Sequence, residues 1–171
     1  MIWVERSAVT VPVIFINGQP HIILIKRSRR LKRHPGQIGF PGGLLEKDET
    51  HQQAAVREMK EEIGIQDNCY RVIKQLSTVV TIRSSVEITS FLVIVECPDF
   101  HLNRGEVEDI YFVPIEIFEK ISCEEIKLHD GKITCRYILP DFVIWGATAK
   151  IIRNSLEEIK EALRNFKGVV K

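Results

Sequence analysis

Glu58, Glu61 and Glu62 stand at positions i, i+3 and i+4 of a segment that reads as helix, a spacing that holds three carboxylates in one patch. Their mutual repulsion is unfavourable unless a cation neutralises it. Hard, all-oxygen ligands suit Mg²⁺ or Mn²⁺ rather than zinc, and Mg²⁺ characteristically shares one or two carboxylates with water and substrate phosphates. The pattern therefore points to phosphate chemistry. Taken alone, Glu58-Met59-Lys60-Glu61-Glu62 also fits a solvated helix face, so the elements around it must decide.

Helix signals begin at Asp48 or Thr50, either of which can N-cap, and Thr50 with Gln53 has capping-box spacing. Gly64 ends the helix. On a wheel, Val56, Met59 and Ile63 share one face and the three glutamates lie opposite, so an apolar stripe is buried while the carboxylates are presented. Ahead of this helix, Thr10 to Ile16 is a β-branched run closed by Asn17-Gly18, and His21 to Lys26 supplies the returning strand of a hairpin. Pro35, Gly36, Gly39, Pro41, Gly42 and Gly43 then punctuate an irregular loop with at most a short strand around Ile38 to Phe40. Downstream, Tyr70 to Thr81, Glu87 to Glu96 and Ile110 to Val113 read as strands, and Ile115 to Ile121 as a brief helix. A second hairpin turns at Asp130-Gly131, between Glu125 to His129 and Lys132 to Leu139. Ile152, Leu156, Ile159, Leu163 and Phe166 recur at helical steps, so Ala147 to Phe166 is an amphipathic helix packed on a sheet.

A chain of 171 residues with 44% hydrophobic and 27% charged residues fits a single domain, 1–171, and excludes disordered and collagen-like classes. Its apolar runs are too short for a membrane span, and Met1 to Arg6 carries charges where an export leader is apolar. A cytoplasmic protein is expected. Cys69, Cys97, Cys123 and Cys135 are widely spaced with no C-x-x-C pair, and are expected as reduced thiols. Net charge is only +1, yet Lys26, Arg27, Arg29, Arg30, Lys32 and Arg33 crowd one segment and leave the remainder net acidic. That segment fits a grip on substrate phosphate, a nucleic-acid patch or a solvated loop.

Gly43, Glu49, Arg57-Glu58-Met59 and Glu61-Glu62-Ile63-Gly64-Ile65 together span 23 residues in which the spacing is that of the Nudix box, and the chain resembles the Nudix hydrolases without a departure. The resemblance implies an α/β (α+β) fold class, a Nudix fold with an α/β/α sandwich around a mixed β-sheet. It also implies Mg²⁺- or Mn²⁺-dependent attack of water on a nucleoside diphosphate linked to another group. By the same resemblance Glu58 and Glu62 are the principal metal ligands, Glu61 is the third carboxylate and the carbonyl of Gly43 adds an oxygen. Glu49 and Arg57 match a pair that braces the loop against the helix.

The stretch Ile23 to Gly43, with Arg27-Ser28, Leu31, His34, Gly36-Gln37 and Phe40-Pro41-Gly42-Gly43, is similar to the coenzyme A pyrophosphatase branch of that superfamily. Ile25 stands where threonine is usual, Ile38 where valine is common, and Lys32 keeps the charge of an arginine without its planar fork. The resemblance implies substrate contacts at Arg27, Ser28, Lys32, Gln37 and Phe40. Arg27 and Lys32 would clamp the anionic pyrophosphate and 3′-phosphate. Asn103-Arg104-Gly105-Glu106-Val107 is similar to a segment of the branch, with Arg104 in place of proline, and makes Glu106 the outer carboxylate, as metal ligand or general base. Trp145-Gly146 also matches the branch, whereas Ser90 stands where proline is expected.

The reading is a diphosphatase that cleaves coenzyme A or its derivatives to 3′,5′-ADP and 4′-phosphopantetheine. Its rivals are hydrolysis of ADP-ribose or another nucleoside diphosphate, a nucleotide-binding regulator without hydrolysis, and an RNA-processing protein. The expected partner is a small nucleoside diphosphate compound; no membrane is expected, nucleic acid is disfavoured, and a homodimer is left open.

Overall fold

The structure is a computed structural model that describes residues 4–82 and 84–167; the first residues of the segment used to exclude a leader lie outside it. The chain runs β1 (Arg6–Ile16), β2 (Gln19–Arg27), β3 (Ile38–Gly39), β4 (Gly42–Leu44), α1 (His51–Ile63), β5 (Tyr70–Val80), β6 (Glu87–Val95) and β7 (Val107–Pro114). Then follow α2 (Ile117–Lys120), β8 (Glu124–Lys127), β9 (Ile133–Ile138), β10 (Val143–Trp145) and α3 (Gly146–Lys167). The main sheet has the order β3-β2-β1-β6-β5, with β4 on β1 and β7 on β2, and a smaller sheet has the order β10-β9-β8. β1 and β6 are parallel and the neighbouring pairs antiparallel, so the sheet is mixed. This is the expected α+β architecture.

Both faces of the central strands are buried. Val9, Val11, Val13, Ile22 and Leu24 face α3 and the small sheet, where Ile151, Ile152, Ile159 and Leu163 meet them. The alternate residues Ile14, Ile23 and Ile25 face α1 through Met59 and Ile63. Period-2 alternation thus feeds two apolar layers at once, which is why β1 and β2 read as continuous hydrophobic runs.

The β1–β2 turn uses Asn17 and Gly18 at φ 52° and 78°, the paired positive angles that match the twist of a tight hairpin. β1 then changes partners along its length: Ser7 to Val9 pair with β4, and Val13 to Ile16 pair with β2. Pro12, which has no N–H, falls in the gap between those two ladders, where no donor is required. That divergence lets Gly42 and Gly43 leave the sheet edge directly beneath α1.

The expectation of reduced thiols is corrected: Cys69 is bonded to Cys97 and Cys123 to Cys135, with Cα–Cα distances of 4.9 and 5.6 Å. The cause is strand register. Cys69 immediately precedes β5 and Cys97 follows β6, its antiparallel partner, in which Tyr70 faces Val95. Cys123 precedes β8, whose Glu125 faces Cys135 of β9. Linear spacing carries no trace of either pairing.

Candidate metal centre and active site

α1 starts where Thr50 caps it, its hydroxyl accepting from the Gln53 N–H while the Gln53 side chain accepts from the Thr50 N–H. It stops at Gly64, which takes the left-handed conformation and donates to the Lys60 carbonyl. The buried side of the helix consists of Ala54, Ala55, Met59, Glu62 and Ile63. This corrects the wheel, which put Glu62 on the solvent side and Val56 on the core side. α1 lies over β1, β4 and β6 of the main sheet, so the covered arc is rotated toward Ala55 and Glu62, and Val56 is only half-buried.

Glu62 is 2% exposed. Its Oε1 accepts from the Gly42 N–H at 2.8 Å. Burial pushes its carboxyl up to about 8; the Gly42 N–H and the charge of Arg27 pull it down, while Glu58 and Glu106 push it further up. Glu58 is raised for the same leading reason, desolvation, although Arg57 donates to its Oε1 at 2.9 Å. Carboxylate oxygens of Glu58, Glu62 and Glu106 all lie within 4.8 Å of one another.

Glu106 arrives from the other side of the sheet edge. β7 pairs with β2 so that Val107 lies opposite Arg27, and the Ser28 N–H donates to the Glu106 carbonyl at 2.8 Å. Glu61, expected as the third carboxylate, is outside this cluster. It is exposed on α1 and takes an Arg57 N–H at 3.4 Å. The convergent acids are therefore two from the helix and one from the loop before β7.

The rest of the centre is braced. Arg57 forks onto Glu49 through Nε at 2.7 Å and Nη2 at 3.0 Å, and also reaches the Leu44 carbonyl at 3.2 Å. The Glu49 carboxyl is held below its usual range by that guanidinium. At Gly43 an added Cβ would sit 2.6 Å from Glu58 Oε1, so only glycine leaves the carboxylate its place. Ser7, which the sequence did not mark, donates its hydroxyl to the Gly43 carbonyl at 2.9 Å and fixes where that oxygen points. Three clustered carboxylates, the two from the helix raised in proton affinity by burial, stand beside an oriented carbonyl and a glycine cradle and form a hard-oxygen donor set that fits a divalent cation of the Mg²⁺ or Mn²⁺ kind.

The basic segment is arranged less uniformly. Arg27 spends its guanidinium on its own loop, donating to the Arg33 carbonyl at 2.9 Å from Nη2 and to the His34 carbonyl at 3.2 Å from Nε. Lys26 is paired with Glu108 at 2.9 Å and Arg33 with Glu5 at 3.4 Å. Lys32 and Arg30 are exposed and, among the described residues, make no ion pair. Ser28 is buried and its Oγ accepts from the Arg30 N–H, a turn-forming role. The Gln37 carbonyl accepts from the Arg27 N–H, closing the loop at its far end. Phe40 is 8% exposed and packs within the α3-side core, which leaves little of its ring open to a ligand.

Residues 6–137 match the NUDIX domain family. An uncharacterized Nudix hydrolase, NudL, of Yersinia enterocolitica is 30% identical over 165 residues, covering 91% of this chain and 82% of its own length. A probable Nudix hydrolase of Schizosaccharomyces pombe is 30% identical over 158 residues, and there the match spans 55% of the longer protein. Among solved structures, a MutT/nudix family protein from Enterococcus faecalis superposes with TM-score 0.60 at 16% identity, over 94% of this chain and 64% of that one. The binary complex of a Caenorhabditis elegans Ap4A hydrolase gives 0.58 at 21% identity, over 68% and 85%. The NUDIX domain of Shewanella oneidensis NrtR, complexed with ADP ribose, gives 0.56 at 15%, over 71% and 80%. With the family match running over residues 6–137 and a relative 30% identical along most of both chains, the chain belongs to the Nudix hydrolase family.

Proposed function

We propose that this Nudix hydrolase cleaves the pyrophosphate of coenzyme A or its acyl derivatives, releasing 3′,5′-ADP and 4′-phosphopantetheine or its acylated form. The observation that carries the reading is the direct joint between the carboxylate cluster and the cationic loop, made where Ser28 bonds Glu106 and Arg27 lies opposite Val107. A ligand with a pyrophosphate and a further phosphate some distance away would meet opposite charge at both places once the acids hold a divalent cation, the cation at one and the loop cations at the other.

Glu58, Glu62, Glu106 and the Gly43 carbonyl would hold the divalent cation, Mg²⁺ or Mn²⁺. When bound, such a cation neutralises pyrophosphate oxygens and acidifies a water molecule. The chain's own part is positional. Gly42 and Arg57 orient the two helix carboxylates by hydrogen bonds, and a carboxylate of the cluster takes the proton of the attacking water. Lys32 and Arg30, exposed above the loop that Arg27 stiffens, oppose the charge of the distal phosphate. Water adds to one phosphorus, the phosphoanhydride P–O bond breaks, and both products leave as phosphate monoesters.

The cytoplasmic setting expected from the sequence belongs to the same proposal; among the described residues no helix is long and apolar enough to cross a membrane. The test is a rate comparison of coenzyme A, acetyl-coenzyme A, ADP-ribose and Ap4A with Mg²⁺ and with Mn²⁺, with products identified by mass. Coenzyme A compounds should be turned over fastest, yielding 3′,5′-ADP. Equal or faster turnover of ADP-ribose or Ap4A refutes the substrate assignment, and silence on all four with both metals replaces hydrolysis by nucleotide binding.

A further inference from the structure

The segment from Glu96 to Glu106 joins β6 to β7 and delivers the third carboxylate to the cluster. It lies across the carboxyl end of α1. The His101 N–H donates to the Ile63 carbonyl at 2.9 Å and the Asn103 N–H to the Glu62 carbonyl at 3.0 Å. Asn103 then accepts from the Glu106 N–H at 3.0 Å and from the Val107 N–H at 2.8 Å. Two hydrogen bonds therefore run from the backbone of one acid, Glu62, to the backbone of another, Glu106. Gly64 makes this approach available, because a Cβ there would overlap the His101 carbonyl.

At its other end the segment is fastened covalently. Cys97 is bonded to Cys69, which is buried in the apolar cluster with Met59 and Ile63, and Phe100 and Leu102 pack against the same cluster. The second disulfide, Cys123–Cys135, belongs to the small sheet, and Cys135 is buried in the cluster on the α3 face. The molecule thus carries one disulfide on the segment that places a cluster acid and one that does not touch that segment.

We infer that the Cys69–Cys97 disulfide is a redox-sensitive clasp that positions Glu106, so that its reduction slackens the Glu96–Glu106 segment and weakens divalent-cation binding. Reduction by a dithiol breaks the S–S bond and forms two S–H groups; two electrons and two protons pass to the protein, and the dithiol leaves as its own disulfide. The inference rests on the reading of Glu106 as part of the cation site. Asn103, Phe100 and Leu102 are positioning residues in the same sense.

The experiment uses the full chain carrying Cys123→Ser and Cys135→Ser, so that a single disulfide remains. Mn²⁺ is titrated by calorimetry before and after reduction with dithiothreitol and desalting under nitrogen, with two new thiols counted and helical content checked by circular dichroism. The dissociation constant should rise about tenfold, the low end of what loss of an outer support costs a metal site. Amide exchange across 98–106 should quicken, and reoxidation should restore both. Leu102→Ala, with the disulfide intact, should weaken Mn²⁺ binding in the same direction and decides the matter if reduction unfolds the chain. Unchanged Mn²⁺ binding after reduction, or in Leu102→Ala where reduction unfolds the chain, alongside clearly weaker binding in Glu106→Gln, refutes the clasp alone. Unchanged binding in Glu106→Gln refutes the assignment of Glu106 itself, and the inference with it.

Discussion

The carboxylate cluster and the cationic loop lie side by side but are built on different principles. Around the cluster nearly every group is held from several directions: Glu62 by burial and the Gly42 N–H, Glu58 by Arg57 and by the space that Gly43 leaves open. In the loop, Arg27, Ser28 and Gln37 shape the backbone, while Lys32 and Arg30 extend into solvent. Chemistry that depends on sub-ångström placement sits in the overdetermined half. On the proposed reading, recognition falls to the half that can change residue by residue without disturbing the fold.

The sharpest way to break this comparison is Glu62→Gln or Glu58→Gln. Each should lower kcat by at least about a hundredfold, the scale for losing one group that acts on transition-state charge, with circular dichroism unchanged. Near-normal turnover in both would remove the cluster from the chemistry. Gly43→Ala should come next: the new methyl displaces the Glu58 carboxylate, and a loss of about tenfold or more in both kcat and Mn²⁺ affinity is expected, at little cost in Tm. Wild-type Mn²⁺ affinity in that variant would mean that the cradle is not part of the site.

A third test uses pH. In the cation-free protein the Glu62 carboxyl moves from 4.5 to about 8 on folding, so the folded state keeps a proton that the unfolded state releases. The stabilisation is fully present below pH 4.5 and is lost as pH rises through about 8. Urea midpoints at several pH values should fall across that window, flatten in Glu62→Gln, and recover when Mn²⁺ takes the proton's place. A midpoint that rises with pH in the wild type would contradict the buried, protonated state.

The smallest effect belongs to the loop. Lys32→Ala and Arg30→Ala should each raise KM severalfold and leave kcat nearly unchanged, because exposed cations contribute to ground-state grip. A fall in kcat with constant KM would move them into the chemical half of the comparison.

Much of the fold was legible because local signals were strong. Asn17-Gly18 announces its turn, Thr50 and Gln53 announce the helix start, and the four-three steps of Ile152 to Phe166 announce α3. β4 and β10 escaped because three residues are too few to show alternation. The box glutamates were legible as chemistry, but the burial of Glu62 was not: a wheel assigns faces by composition, and here the covered face includes an acid that pays for its burial with the Gly42 hydrogen bond. Glu106 was legible as an outer carboxylate through the Asn103 to Val107 segment, but that it rather than Glu61 lies within 4.8 Å of Glu58 and Glu62 depends on how β7 registers against β2, which no local pattern shows. The core role of Phe40 was not legible either, since a conspicuous aromatic in a loop motif serves the core as readily as a ligand.

The central claim, that two helix acids and one loop acid share a hard cation, is tested most directly by a crystal structure of the protein grown with Mn²⁺ and solved with anomalous data. The expected result is an anomalous peak in contact with carboxylate oxygens of Glu58, Glu62 and Glu106, at roughly the 2.0 to 2.1 Å typical of Mg²⁺ or slightly longer. A peak held by Glu61 with Glu106 turned away, or no peak near α1, would contradict it.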